Sequence, residues 1–80
     1  MRIPRDVSGA DLASALRSLG YKCTRQEGSH LRLTTERHGQ HHITVPNHRA
    51  VKLGTIRNIL KAVANHHEIT LDEVLRQLRF

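Results

Sequence analysis

Apolar and polar positions alternate along the chain with two different periods. Leu12, Ala15, Leu16 and Leu19 recur at i, i+3, i+4 and i+7, which is one stripe of a helix. Ser8 precedes this stripe and Asp11 follows three residues later, an S-x-x-D capping box. Gly20 stands where a left-handed residue ends a helix. From Tyr21 the period falls to two. Tyr21 and Cys23 alternate with polar residues, predicting a strand over 21–26 with both side chains inward. Glu27-Gly28 is a turn signal. The run 29–35 alternates again, with Leu31 and Leu33 on one face and His30, Arg32 and Thr34 on the other, open to solvent. Arg37-His38-Gly39-Gln40 reads as a hairpin loop. A third strand over 41–45 turns Ile43 and Val45 inward, and Pro46, which lacks an N–H, closes it.

The helical period returns after a loop at 47–52. Ile56, Ile59, Leu60 and Val63 form the stripe of a second helix opening near Gly54-Thr55, and Arg57 and Lys61 share its outward side. Asn65-His66-His67 breaks the pattern. A last helix starts at Thr70, with Glu73 completing a T-x-x-E box, Ile69 and Val74 as a staple, and Leu71, Val74, Leu75 and Leu78 as its stripe. Residues 1–7 read as a short leading arm. The order α-β-β-β-α plus a terminal helix predicts an α+β two-layer sandwich, one sheet face covered by the two main helices.

Composition narrows the function classes. Eighty residues make a single domain over 1–80. A chain of this size buries roughly 60–65% of its unfolded surface, so it holds a small core and no cleft between domains. Rossmann and TIM-barrel architectures are excluded by length. No apolar run approaches the ~18 residues of a membrane span, and the N-terminus carries charge without an apolar signal region. The single cysteine, Cys23, makes no internal disulfide, so a cytoplasmic location is expected. Thirteen Lys and Arg against seven Asp and Glu give a net charge of +6 and, with seven His, point to a polyanion or an acidic protein as partner. One Tyr and one Phe are too few for a reader of single strands that works by stacking. Contact with phosphates or an A-form backbone fits better.

Three groups of residues carry candidate chemistry. In Gly28-Ser29-His30 a turn sets a histidine at a strand start, opposite the buried leucines. Such an imidazole can take a proton from a ribose 2′-hydroxyl or give one to a leaving oxygen; the plain alternative is a solvated strand histidine. The basic set Arg25, Arg32, Arg49, Lys52, Arg57 and Lys61 clusters in one part of the chain, with Lys52 beside the amides that open the second helix. The alternative is an ordinary solvated face. His38-x-x-His41-His42 has metal-ligating residue types, yet it flanks a hairpin tip with Glu36 as the nearby carboxylate, so loop histidines and no metal are expected. His66-His67 is suited to the C-terminal end of the second helix.

These residues also fall in a known order. Val7-Ser8-Gly9, LRSLGY at Leu16–Tyr21, RQEGSHLRL at Arg25–Leu33, ITVPNH at Ile43–His48 and LGTIRNILK at Leu53–Lys61 resemble the HicA (YcfA-like) toxins of type II toxin–antitoxin systems. The resemblance runs from about residue 7 to 64. It implies a double-stranded-RNA-binding-domain-like fold, with a core over 8–64 and a C-terminal extension over 65–80. It implies an mRNA interferase that cleaves RNA without a metal or other cofactor and stops translation, with His30 as the catalytic residue. Ser29, Arg25, Arg32, Lys52, Arg57 and Lys61 are then the candidate RNA and phosphate contacts, and His48 a candidate neighbour of the active site. The implied partners are mRNA and a HicB-like antitoxin, with operator DNA met only through the antitoxin. A non-catalytic double-stranded-RNA-binding module is the alternative function. The extension from Thr70 and the histidine-rich loop 37–42 go beyond the family pattern.

Overall fold

A computed structural model describes Ile3 and residues 5–78. Its order is α1 (Gly9–Leu16) continued by a 3-10 turn (Arg17–Leu19), β1 (Lys22–Glu27), β2 (His30–Thr35), β3 (His41–Pro46), α2 (Leu53–His67) and α3 (Leu71–Gln77). The expected capping box closes the start of α1: Ser8 Oγ accepts from the Asp11 amide at 2.9 Å, and the Asp11 carboxylate accepts from the Ser8 amide at 3.3 Å. Left-handed Gly20 ends the helical segment.

The three strands form one antiparallel sheet in the order β1-β2-β3. Leu31 faces Val45 and Leu33 faces Ile43 across the β2–β3 ladder. These four side chains join Leu12 and Leu16 of α1 and Ile56, Leu60 and Val63 of α2 in one core. Both helices therefore cover the same sheet face, and the other face is open. This is the α+β sandwich that the two periods predict.

Four local readings change. Cys23 is exposed rather than buried. The register shifts between Cys23 and Arg25, and β1 is an edge strand on which every residue is exposed. Cys23 lines an open groove of about 710 Å³ between α1 and β1, floored by Leu31 and Leu33, and none of the described elements covers it. Thr34, expected in the open, is largely covered (9% exposed) because it hydrogen-bonds both to Thr24 and to His42.

Asn65-His66-His67 does not break α2. The helix runs through His67, which is 7% exposed and extends the buried series Ile56, Leu60, Val63 by one more turn. The stop lies at Glu68, in the left-handed region with φ 56°. The chain before α1 is also more than an arm: Val7 is buried in the core and Ile3 packs against it. Met1, Arg2 and Pro4 lie outside the described residues. At α3, Thr70 Oγ1 accepts from the Glu73 amide at 3.1 Å, Val74 and Leu78 are buried, and Ser18 Oγ donates to the Gln77 carbonyl at 2.8 Å.

The start of α1 is seated directly on the end of β3. The Gly9 amide donates to the His48 carbonyl at 2.9 Å, and Val51 donates to Val7 at 2.8 Å. A Cβ on Gly9 would sit 2.1 Å from the Pro46 carbonyl oxygen and 2.8 Å from Asn47 Cα, both backbone atoms. Gly9→Ala is expected to cost about 1–3 kcal/mol, because helix and strand must separate to admit the methyl group. Urea denaturation checks this: a lowered midpoint with an unchanged slope is expected, and an unaltered midpoint contradicts the close contact.

Candidate active site on the open sheet face

The site is built from the turn that joins β1 to β2. Glu27 pairs with His30, which leaves Gly28 and Ser29 as a two-residue loop. Gly28 has φ 55° at the first loop position, the residue choice of a type II′ hairpin turn, whose twist matches the flanking strands. The Asn47 amide donates to the Ser29 carbonyl at 2.6 Å, so the end of β3 holds the turn in place. His30 is thereby fixed as the first residue of β2, opposite Pro46.

Alternation then decides what the face presents. Leu31 and Leu33 point into the core, so His30 and Arg32 point out, and both are exposed. Arg25 lies opposite Arg32 on one side and Thr44 lies opposite it on the other. Arg25, Glu27, His30, Arg32 and Thr44 line a shallow depression of about 370 Å³. The Arg25 guanidinium pairs with the Glu27 carboxylate at 2.5 Å. Both side chains are more than 60% exposed, so the pair adds little stability. It does offset one positive charge in the depression. Arg32 has no carboxylate partner among the described residues.

Further along the same face a polar row crosses all three strands. Thr24 Oγ1 and Thr34 Oγ1 lie 2.9 Å apart, and Thr34 Oγ1 lies 2.8 Å from His42 Nδ1. The face is thus histidine and arginine at one end and hydroxyls with a histidine at the other. It offers hydrogen-bond donors and positive charge to a ligand laid across it, and no deep apolar pocket. Among the described residues no three His, Cys, Asp or Glu side chains converge as a set for a metal ion.

The structure brings together His30, Arg25 and Arg32, with Ser29 next to them in the turn. The remaining candidates stand apart. His48 is exposed in the loop after β3; it does not line the depression, and its carbonyl receives the Gly9 amide. Lys52 is the N-cap of α2 and makes no side-chain cap, and the first turn of α2 has no acidic residue. Arg57 and Lys61 are exposed on α2, which packs under the opposite sheet face. Sequence reasoning missed Glu27 and Thr44. Glu27 was readable from the hairpin alone, because a two-residue loop sets its flanking residues opposite each other. Thr44 needed the β2–β3 register.

The fold and this face define a small, basic, two-layer α+β domain of double-stranded-RNA-binding-domain-like shape, with an exposed histidine, His30, on its open sheet face. The model of the family described as the HicA toxin of bacterial toxin–antitoxin systems matches residues 9–64, and the chain belongs to that family. Membership implies an antitoxin as partner. No curated protein and no solved structure matches the chain. No described helix is long and apolar enough to cross a membrane.

Gly28 tests the turn. A Cβ there would meet nothing within 4 Å, so only its positive φ opposes a side chain. Gly28→Ala is expected to cost about 1 kcal/mol and to shift the NMR resonances of His30 and Asn47, while those of α2 stay in place. Unmoved His30 resonances with unchanged stability contradict the turn described.

Proposed function

We propose that the chain is a metal-independent endoribonuclease, an mRNA interferase that stops translation and growth and is held silent by a HicB-like antitoxin. The observation that carries this reading is an exposed histidine, His30, fixed at the head of a strand beside Arg25 and Arg32 on an open sheet face. RNA brings its own nucleophile, so the protein must supply proton transfer and charge stabilisation rather than a bound hydroxide. In the step we propose, the ribose 2′-oxygen attacks the adjoining phosphorus and the P–O5′ bond breaks. The products are a 2′,3′-cyclic phosphate and a 5′-hydroxyl. His30 takes the 2′-hydroxyl proton or gives one to the departing 5′-oxygen, a transfer typically worth about 10²–10⁴-fold in rate. One imidazole serves one of these transfers at a time, and water or His48 serves the other.

Arg32, with Arg25, faces the phosphate oxygens on which negative charge grows in the transition state. Ser29 shapes the turn and offers its hydroxyl to the same phosphate. Lys52, Arg57 and Lys61 lie on the helix layer rather than on the sheet face. Their part is to hold flanking phosphates as the strand passes round the end of the molecule where β3 leads into α2. The uncapped amides at the start of α2 add positive potential there. The shallowness of the depression supports inhibition by coverage: an antitoxin laid over the open face excludes RNA from His30. Operator contacts then belong to the antitoxin.

His30→Ala is expected to lower RNA cleavage in EDTA by at least about 10²-fold and to abolish toxicity, while the fold and antitoxin binding persist. Cleavage at the wild-type rate overturns the assignment, and binding of duplex RNA with no cleavage by either protein favours a non-catalytic double-stranded-RNA-binding module. Phosphate contacts have a separate readout. Lys52→Ala or Arg57→Ala is expected to weaken RNA binding and to reduce the salt dependence of affinity by about one counterion each. An unchanged slope removes that residue from the phosphate track.

A further inference from the structure

Four of the seven histidines, His38, His41, His66 and His67, gather at the end of the molecule opposite His30. His30 opens β2 and the cluster lies where β2 ends, roughly 17 Å away along the strand. The His41 and His66 rings stack with centroids 4.3 Å apart and planes within 10°. His67 stands edge-on to His66 at 4.9 Å, to His38 at 5.4 Å and to Tyr21 at 5.7 Å. The group joins the start of β1, the β2–β3 loop, the start of β3 and the last turn of α2.

Its hydrogen bonds tolerate only some proton arrangements. The Tyr21 side chain is fully buried, and its hydroxyl lies 2.7 Å from His41 Nδ1 and 3.2 Å from His67 Nε2. A phenol has one proton, so it donates to one ring and accepts from the other. The tautomers of His41 and His67 are therefore set as a pair, one ring accepting the phenol proton and the other donating to the phenol oxygen. His66 Nε2–H donates to the carbonyls of Arg37 and Gly39, each at 3.0 Å. A proton added at the accepting ring nitrogen turns that nitrogen into a second donor to the phenol. The buried hydroxyl proton then loses its acceptor, which leaves an unsatisfied polar group in the core.

The charges around the cluster give a new proton no counter-ion. From β3 it faces His41 and His42, the latter bonded to Thr34; from the β2–β3 loop it faces Arg37 and His38, and from α2 His66 and His67. Glu36 is engaged by Gln40, and Glu73 of α3 by Arg76. Glu68, just past α2, is exposed and makes no ion pair among the described residues, and no carboxylate there reaches ion-pair distance of these rings. Burial first, and then the neighbouring imidazoles, hold His41 and His67 below the ordinary histidine value; for His67, Arg37 adds to this. Burial pushes Tyr21 up to about 12, so it stays a phenol throughout.

We propose that this cluster is an acid-sensitive latch: proton uptake by His41 and His67 releases the C-terminal end of α2, with α3, from the sheet. The direction follows from linkage. The unfolded or opened chain binds protons at the ordinary histidine value near 6.5, whereas the closed latch binds them only at lower pH. The latch therefore contributes fully above about pH 6.5 and loses its contribution as pH falls towards the depressed values. The latch requires no nuclease activity of the chain.

Thermal unfolding between about pH 7.5 and pH 5 tests it, with the near-ultraviolet signal of Tyr21, the single tyrosine, as a probe inside the cluster. The wild-type midpoint is expected to fall with acid, on the order of 5 °C per pH unit for each extra proton taken up on opening. The His41→Gln/His67→Gln variant is expected to lose most of that dependence, and His30→Gln to keep it. A flat wild-type profile, or one that the double variant reproduces, overturns the latch. Should the variant not fold, the imidazole NMR titration of the wild-type protein decides. His41 and His67 titrating below the ordinary value together with loss of α3 amide protection supports the latch. Titration at the ordinary value, or with α3 protection unchanged, overturns it.

Discussion

The central strand is read from both sides, and the rest of the molecule depends on that. Leu31 and Leu33 are 7% and 1% exposed on the helix side, while His30 and Arg32 stand in water on the other. A slip of one residue would bury an imidazole and a guanidinium and expose two leucines, a penalty far larger than any local turn preference. The core thus fixes the site: the hydrophobic demand of two leucines holds a histidine outward. The Gly28 turn sets where the alternation starts, and the bond from Asn47 to Ser29 prevents the start from drifting.

Histidine stands in two unlike settings at the two ends of this sheet. At the open end one imidazole stands in solvent next to arginines. At the closed end four imidazoles lean on each other and on a buried phenol, and there an added proton is a liability. The difference lies in surroundings rather than residue type. Exposure lets water solvate a charge, whereas the stacked rings beside Arg37 have nothing of opposite sign to offer among the described residues.

The positive charge of the chain is likewise distributed by the fold. Arg25 and Arg32 belong to the sheet face, and Lys52, Arg57 and Lys61 to the helix layer behind it. The layers meet where β3 runs into α2, so a flexible polyanion must bend round that end to touch both sets. Glu27 tempers the sheet face by engaging Arg25. A charge count cannot show this, because it has no knowledge of which basic residues share a surface.

Much was legible in one dimension because it rests on local rules. The Ser8–Asp11 cap, the stripes of α1, α2 and α3, the inward leucines of β2 and the outward His30 all follow from spacing and side-chain chemistry. The motifs spread from Val7 to Lys61 were enough to indicate the toxin family to which the chain belongs. What tertiary structure alone decided involves partners distant in sequence. Cys23 is left uncovered because β1 is an edge strand with a shifted register. α2 continues through His66 and His67 because Tyr21, more than forty residues earlier, offers His67 a buried surface and a hydroxyl. Thr44 joins the depression only through the β2–β3 pairing. Periodicity states which way a side chain points; only packing states whether anything is there to meet it.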